Sequence, residues 1–226
     1  MTLLDWTRGP LLAISLAIFI VGIAWRMYAL WRLPLSHKPQ AHARQNFDTS
    51  AAAHSAAQRM IPKDGFHSSA TLATINPYIF HIGLAVVFFS YAPHIAFVQR
   101  LLGISWPALP DAVMYISAAA TIISLLIAIL FRITDPVLKR ISSADDYITW
   151  TVTFLPFLTG MAVLNDPSAS IMNRAHAVYV GPLAIHLLSL ELLLIWFPFG
   201  KLMHAFLAFP TRMQLATFFG RRGVRS

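Results

Sequence analysis

The chain has no cysteine. That absence removes disulfides, Fe–S clusters, thiolate-ligated haem and covalently attached c-type haem from the chemistry this polypeptide performs by itself. Charge is scarce too. Asp, Glu, Lys and Arg make up 12% of the 226 residues, and only 9 are acidic, where a soluble domain carries about a quarter charged residues. No internal repeat and no Gly-rich phosphate loop is present. What the chain has instead is 57% hydrophobic residues and a mean hydropathy of +0.63, which places it among integral membrane proteins, as one domain over 1–226. The formal charge of +8 does not call for a nucleic-acid partner, because the basic residues stand beside apolar runs and membrane topology accounts for them.

Five segments, at roughly 11–31, 77–99, 111–131, 147–165 and 178–199, approach the ~20 residues that cross a bilayer. The expected fold is therefore an all-α integral membrane protein, a bundle of five transmembrane helices. The first apolar run is too long for a secretory signal, and only Arg8 precedes it, so it reads as a retained anchor. Pro156 in the fourth segment and Pro182 near the start of the fifth are tolerable where neighbouring helices satisfy the freed carbonyls. Of the 17 Lys and Arg, all but Arg8, Arg100 and Arg174 fall on the side of the 32–76 loop, the 132–146 loop and the C-terminal tail. The positive-inside rule then puts the N-terminus outside and the C-terminus in the cytoplasm of a bacterial or archaeal membrane. The polar cytoplasmic loop 32–76 lacks an apolar period and reads as a flexible linker, or more sharply as a docking segment for a cytoplasmic subunit.

Four histidines lie on two of these segments: His81 and His94 on the second, His186 and His204 on or just past the fifth. Ionisable groups in such positions are functional candidates by default. The topology pairs them by depth, His81 with His204 near the cytoplasm and His94 with His186 near the outside. His186 and His204 are eighteen residues apart, five turns of an ideal helix and a rise of ~27 Å, which would put both on one face. His81 and His94 fit less well, since thirteen residues rotate ~220° beyond whole turns. Pro93 makes a kink, a π-turn or a helix end plausible there. With thiolate excluded, two imidazole pairs at two depths point to two non-covalent b-type haems. The bland alternative is four histidines that bond neighbouring helices or sit in the interface.

The residues also carry a resemblance. Phe80-His81-Ile82-Gly83-Leu84 resembles the second-helix motif of the respiratory nitrate reductase gamma subunit family. The stretch from Trp196 to Phe206, WFPFGKLMHAF, resembles that family's last helix, and Arg132 to Tyr147 its cytoplasmic loop. The set covers about residues 77 to 210 and points to a divergent member. The resemblance implies a five-helix dihaem cytochrome b that passes electrons between the quinone pool and a cytoplasmic Fe–S subunit with a molybdenum or other catalytic subunit behind it. It implies His81 and His204 as ligands of the proximal haem b, and His186 as a ligand of the distal one. The family's remaining ligand falls here on Tyr91, with His94 three residues later. His94 is preferred, because imidazole suits a low-spin bis-histidine haem. The loop with Trp106 and Asp111 also lacks the lysine that the family associates with quinol binding.

The function expected is that of a quinol-oxidising electron-transfer subunit whose terminal catalysis lies on another chain. A cytochrome b subunit of a sulfur-metabolism complex, heterodisulfide-reductase-like or sulfite-reducing, is the alternative, and a haem-free membrane anchor or small transporter the remaining one. Glu191, an acid well inside a segment, is the candidate proton acceptor, against a bland hydrogen bond to a neighbouring helix. Arg26 and Arg132 read as positive-inside anchors, with pairing to haem propionates as their other use.

Overall fold

The computed structural model describes residues 2–32, 49–58, 68–164 and 180–221. Among these, the regular structure is entirely helical: α1 (Leu3–Arg8), α2 (Pro10–Arg32), α3 (Thr49–Gln58), α4 (Ser68–Ser90), α5 (Ala92–Leu102), α6 (Asp111–Thr134), α7 (Pro136–Ile141), α8 (Ala144–Leu164), α9 (Val180–Trp196) and α10 (His204–Arg221), with a 3₁₀ turn at Lys201–Met203 before α10. Several boundaries follow from local chemistry. Thr2 and Asp5 form a reciprocal capping box at the start of α1. The Asp135 carboxylate accepts from the backbone N–H of Val137 (2.8 Å) and Leu138 (2.9 Å) and starts α7 behind Pro136. Gly103, at φ 75°, closes α5 in the left-handed conformation that glycine adopts without a Cβ penalty.

Three stretches are helices long and apolar enough to cross a membrane, Leu3–Arg32, Leu72–Ser90 and Asp111–Thr134. A fourth counts if Gly181–Trp196 and Lys201–Phe218, bent by 76°, make one span. The exposed rings of Trp25, Tyr28 and Trp31 line up at one end of α2, with the Arg32 guanidinium over Tyr28. This is the arrangement of an interfacial aromatic belt.

Small and hydroxyl-bearing side chains fill much of the interior beside a few large ones such as Met114, Leu125 and Met203, while many large apolar side chains are exposed. Ala118, Thr121, Ser124 and Ala184 are buried, whereas Ile20, Val21, Ile82, Ile116 and Ile123 are exposed. Helices that meet without a hydrophobic drive between them pack through small residues and interhelical hydrogen bonds. Gly83 shows this on α4, where a Cβ would run into the Thr121 hydroxyl of α6. Nearby, the Asn76 amide donates to the Ser124 carbonyl (3.0 Å), and the Ser124 hydroxyl returns a bond to the Asn76 carbonyl (2.9 Å). On α8, the Trp150 indole donates to the Leu125 carbonyl of α6 at 2.8 Å. Helix α9 packs against α8 on one side and against α1 and α2 on another.

Three sequence expectations need correction. The segment 77–99 is not one helix: α4 starts earlier, at Ser68, and stops at Ser90, and α5 begins beyond Tyr91 with Pro93 in its first turn. Of the two helix-breaking forms and the kink that Pro93 allowed, the helix end is the one found. Nor do His186 and His204 share a continuous helix. Phe197, Pro198 and Phe199 turn the chain after Trp196, and a 3₁₀ turn precedes His204, so the count of five turns along one face does not apply. Finally, the loop 32–76 is not all linker. Thr49–Gln58 is an alanine-rich helix whose Ala52 and Ala56, at i and i+4, are fully buried; α3 lies against α10, where Ala216 is also buried. Alanine was too weak an apolar signal to register as a period. Residues 33–48 and 59–67, with His37, His42 and His67, and residues 165–179, with His176, lie outside the described residues.

Candidate functional site

The two helix breaks bring the histidines together. His94 stands in the first turn of α5 and His204 at the first position of α10. The His81 and His204 rings have centres 6.0 Å apart at an interplanar angle of 86°, and those of His94 and His186 are 6.3 Å apart and nearly parallel at 15°. The partners are the ones that depth in the sequence had matched.

In all four, Nδ1 is already engaged. The Nδ1–H of His81 donates to the Pro77 carbonyl (2.6 Å), that of His94 to the Val87 carbonyl (3.0 Å), and that of His204 to the Lys201 carbonyl (2.8 Å). A carbonyl only accepts, so these rings hold their proton on Nδ1 and keep the lone pair on Nε2. His186 reaches the same state through a side chain. The Thr159 hydroxyl spends its proton on the Leu155 carbonyl at 2.7 Å, so its oxygen accepts from Nδ1 of His186 at 3.1 Å. The Ser189 hydroxyl donates to the His186 carbonyl (2.6 Å), which leaves its oxygen 3.0 Å from that of Thr159. Metal-bound histidines use their second ring nitrogen in this way, which fixes the tautomer and the ring orientation.

Two imidazoles bound on opposite sides of one metal, each at a metal–nitrogen distance of about 2.0–2.1 Å, have ring centres about 6.3 Å apart. Both pairs meet that spacing, and the interplanar angle is only a rotation about the shared axis. Among the described residues no group of three or more His, Cys, Asp or Glu gathers, so a bare ion in a protein cage is not what these side chains build. A planar macrocycle supplies its own four equatorial donors and asks the protein for two axial ones. The residues present fit such a group.

The surroundings of the two pairs differ. Near His94 and His186 the walls are aromatic: the rings of Phe88 and Tyr91 stand 5.8 and 5.2 Å from that of His94. Tyr91 is edge-on to His94, and it is His94 that faces His186. Gly160 makes room for the His186 ring, since a Cβ there would lie 3.2 Å from Cε1. The carbonyls exposed by the end of α4 are taken up in turn, Val87 by His94, Phe89 by the Trp106 indole and Ser90 by the Leu109 N–H (3.0 Å).

Near His81 and His204 the surroundings are charged. Asp146, with its side chain 5% exposed, pairs with Arg132 (3.0 Å) and Lys201 (2.5 Å), and also accepts from the Ser143 N–H (2.9 Å) and hydroxyl (3.1 Å). Burial by itself would push the Asp146 carboxyl up. The Lys201 ammonium, the Ser143 donors and the Arg132 guanidinium outweigh it and hold the group at about 2. This clamp ties the end of α6 and the start of α8 to the turn that carries His204. Arg132 is thereby committed to Asp146 and to the Ser142 hydroxyl (2.8 Å).

Glu191 is 2% exposed, and both its carboxyl oxygens lack a hydrogen-bond partner among the described residues. Two positions along α9 from Ser189 is a rotation of about 200°. Glu191 thus lies on nearly the opposite face of α9 from Ser189, which reaches Thr159 of α8. Sequence reasoning missed Thr159, Ser189 and Gly160 altogether. Their signal is a threonine, a serine and a glycine inside apolar helices, which composition alone makes ordinary.

No family model matches the sequence. A protein of Nitratidesulfovibrio vulgaris is 30% identical over 215 residues, which cover 92% of this chain and 89% of that protein. The chain belongs to that protein's family. So few residues fall outside the match that the stretch from His81 to His204 lies within it.

Proposed function

We propose that the protein is the membrane cytochrome b subunit of a respiratory oxidoreductase of nitrate reductase type. In this reading it carries electrons between quinol and a cytoplasmic Fe–S and catalytic subunit. The observation that supports it best is the pair of neighbouring imidazoles, found twice, each with ring centres far enough apart that the two could hold one metal between them, and each with Nδ1 already occupied. His81 and His204 would hold the proximal haem b, His94 and His186 the distal one, and Tyr91 would pack against the distal site without ligating. Bound there, haem b supplies one-electron redox chemistry.

The chain's own residues do the rest. The Nδ1 acceptors, Pro77, Lys201, Val87 and Thr159, hold each ring in the ligating tautomer and raise its basicity. The aromatic walls keep water from the outer pair. Quinol oxidation releases two electrons and two protons, and Glu191, buried with no hydrogen-bond donor among the described residues, is the side chain assigned to accept one of the protons. The topology in this reading has five spans, with α8 as the fourth over 147–165, the N-terminus outside, and the broken elements α4–α5 and α9–α10 carrying the ligands. The basic face at the cytoplasmic end is the docking side for the Fe–S subunit.

A pyridine haemochrome assay on the purified chain should give two b-type haems per polypeptide. One haem removes a ligand pair, and none overturns the reading. Glu191→Gln should slow quinol turnover while leaving haem content unchanged. Unchanged turnover would take the proton role away from Glu191.

A further inference from the structure

An open cleft of about 310 Å³ lies beside His204. One wall is a stripe of α10, His204, Leu207, Ala208 and Thr211, spaced i, i+3, i+4 and i+7 on a single helix face. Gly200, Lys201 and Met203 of the preceding turn, Asp145 of α8 and Arg26 of α2 complete it. The register of α2 explains how Arg26 arrives there. Gly22 sits so close to Pro198 that a Cβ would clash with its ring, and Arg26 follows four residues later on the same face. The closest approach of α2 to the broken segment therefore delivers a guanidinium to the cleft.

The two cations of this cleft are not equivalent. Lys201 is held by Asp146 at 2.5 Å. Arg26 belongs to neither of the ion pairs found among the described residues, and its side chain is exposed. Asp145, whose Oδ1 accepts from the Thr149 hydroxyl (3.0 Å), is the acid in the lining. A guanidinium in neither ion pair of the described residues, with a planar fork of donors beside His204, suits a carboxylate.

We propose that this cleft takes the carboxylate side chains of the macrocycle held at His81 and His204, with Arg26 as their cationic partner. The inference rests on the cytochrome reading above. It gives α2 a second role besides crossing the membrane, and it separates Arg26 from Arg132, whose guanidinium Asp146 already occupies. The sign of its electrostatics is definite. Oxidised haem carries one more positive charge than reduced haem, so a carboxylate left without its counter-ion favours the oxidised form and lowers the midpoint potential.

The test is a redox titration of the full-length, haem-loaded protein in detergent, read from the haem absorbance. His204→Ala identifies the proximal midpoint as the one it abolishes. Arg26→Gln should lower that midpoint or deplete that haem selectively, and Arg26→Lys should do so by less. Asp145→Asn should shift the same midpoint upward. Lys139→Gln, which removes an exposed charge from α7 on the same side, should move neither midpoint, and the distal midpoint should stay put in every variant. A haem-replete Arg26→Gln protein with an unmoved proximal midpoint overturns the proposal. So does a shift matched by Lys139→Gln, or one of the same sign from Asp145→Asn. Wild-type protein without haem would instead overturn the cytochrome reading itself, so the two failures are distinguishable.

Discussion

The two histidine pairs have nearly the same separation but are built by different means. At the His81–His204 end both rings are exposed, and each Nδ1 bonds to a main-chain carbonyl within its own helical turn or the turn just before it. At the His94–His186 end both rings are half-buried. There His186 depends on a hydroxyl from another helix, and His94 reaches back across a helix break to Val87. The first pair is held by local backbone geometry inside a charged clamp, the second by tertiary packing. A main-chain acceptor survives any side-chain replacement; a threonine hydroxyl does not.

That difference orders the expected effects. On the proposed cytochrome reading the largest come from the candidate ligands: His204→Ala and His186→Ala should each remove one haem and one midpoint, and a single variant that removed both would break the idea of two separable sites. Next, Thr159→Val takes the acceptor from His186 and should weaken haem retention at the His94–His186 pair by about 10–100-fold, the usual cost of losing such a partner. It should leave the His81–His204 pair untouched, and haem stoichiometry after dialysis would measure both.

The clamp is the corresponding weak point at the other end. Asp146→Asn should cost about 2 kcal/mol of stability, in line with about 1.5–3 for hydrogen bonds to a charged group, as read by thermal unfolding in detergent. The pH dependence has a definite sign. Because folding lowers the Asp146 pKa to about 2, the clamp's contribution is complete above the carboxyl's ordinary value and is lost as pH falls from there toward about 2. The wild type should lose that increment on acidification and Asp146→Asn should not. The smallest effect is expected from Gly160→Ala, whose methyl would press on Cε1 of His186. A few-fold loss of the haem proposed at His94 and His186, or an altered low-spin signal from that site only, would show that the ring has little room to move.

Much of this arrangement was legible in the chain before its fold. Hydropathy marks the long apolar helices, and depth pairs His81 with His204 and His94 with His186. Of Tyr91 and His94, it is the His94 ring that stands beside that of His186. Helix phase is a poorer guide here, because it holds only along straight rods. Its good eighteen-residue spacing and its poor thirteen-residue spacing both cross a break, at Phe197–Phe199 and at Tyr91. Pro93 and Pro198 were visible, but the size of a bend depends on what covers the freed carbonyls, and those partners come from distant segments such as Trp106 and Leu109.

Composition alone excluded thiolate chemistry, required an apolar environment and limited the metal-binding candidates to a few histidines. These are properties of residue type and of order along one dimension. The tertiary structure decided which nitrogen each ring keeps free, that Arg132 is spent while Arg26 faces a cleft, and that Glu191 is buried with no hydrogen-bond donor among the described residues. Each of those outcomes depends on contacts between segments far apart in the chain. Hydrogen bonds and ion pairs act over a few ångströms, and no periodicity in a sequence encodes which distant atoms come that close.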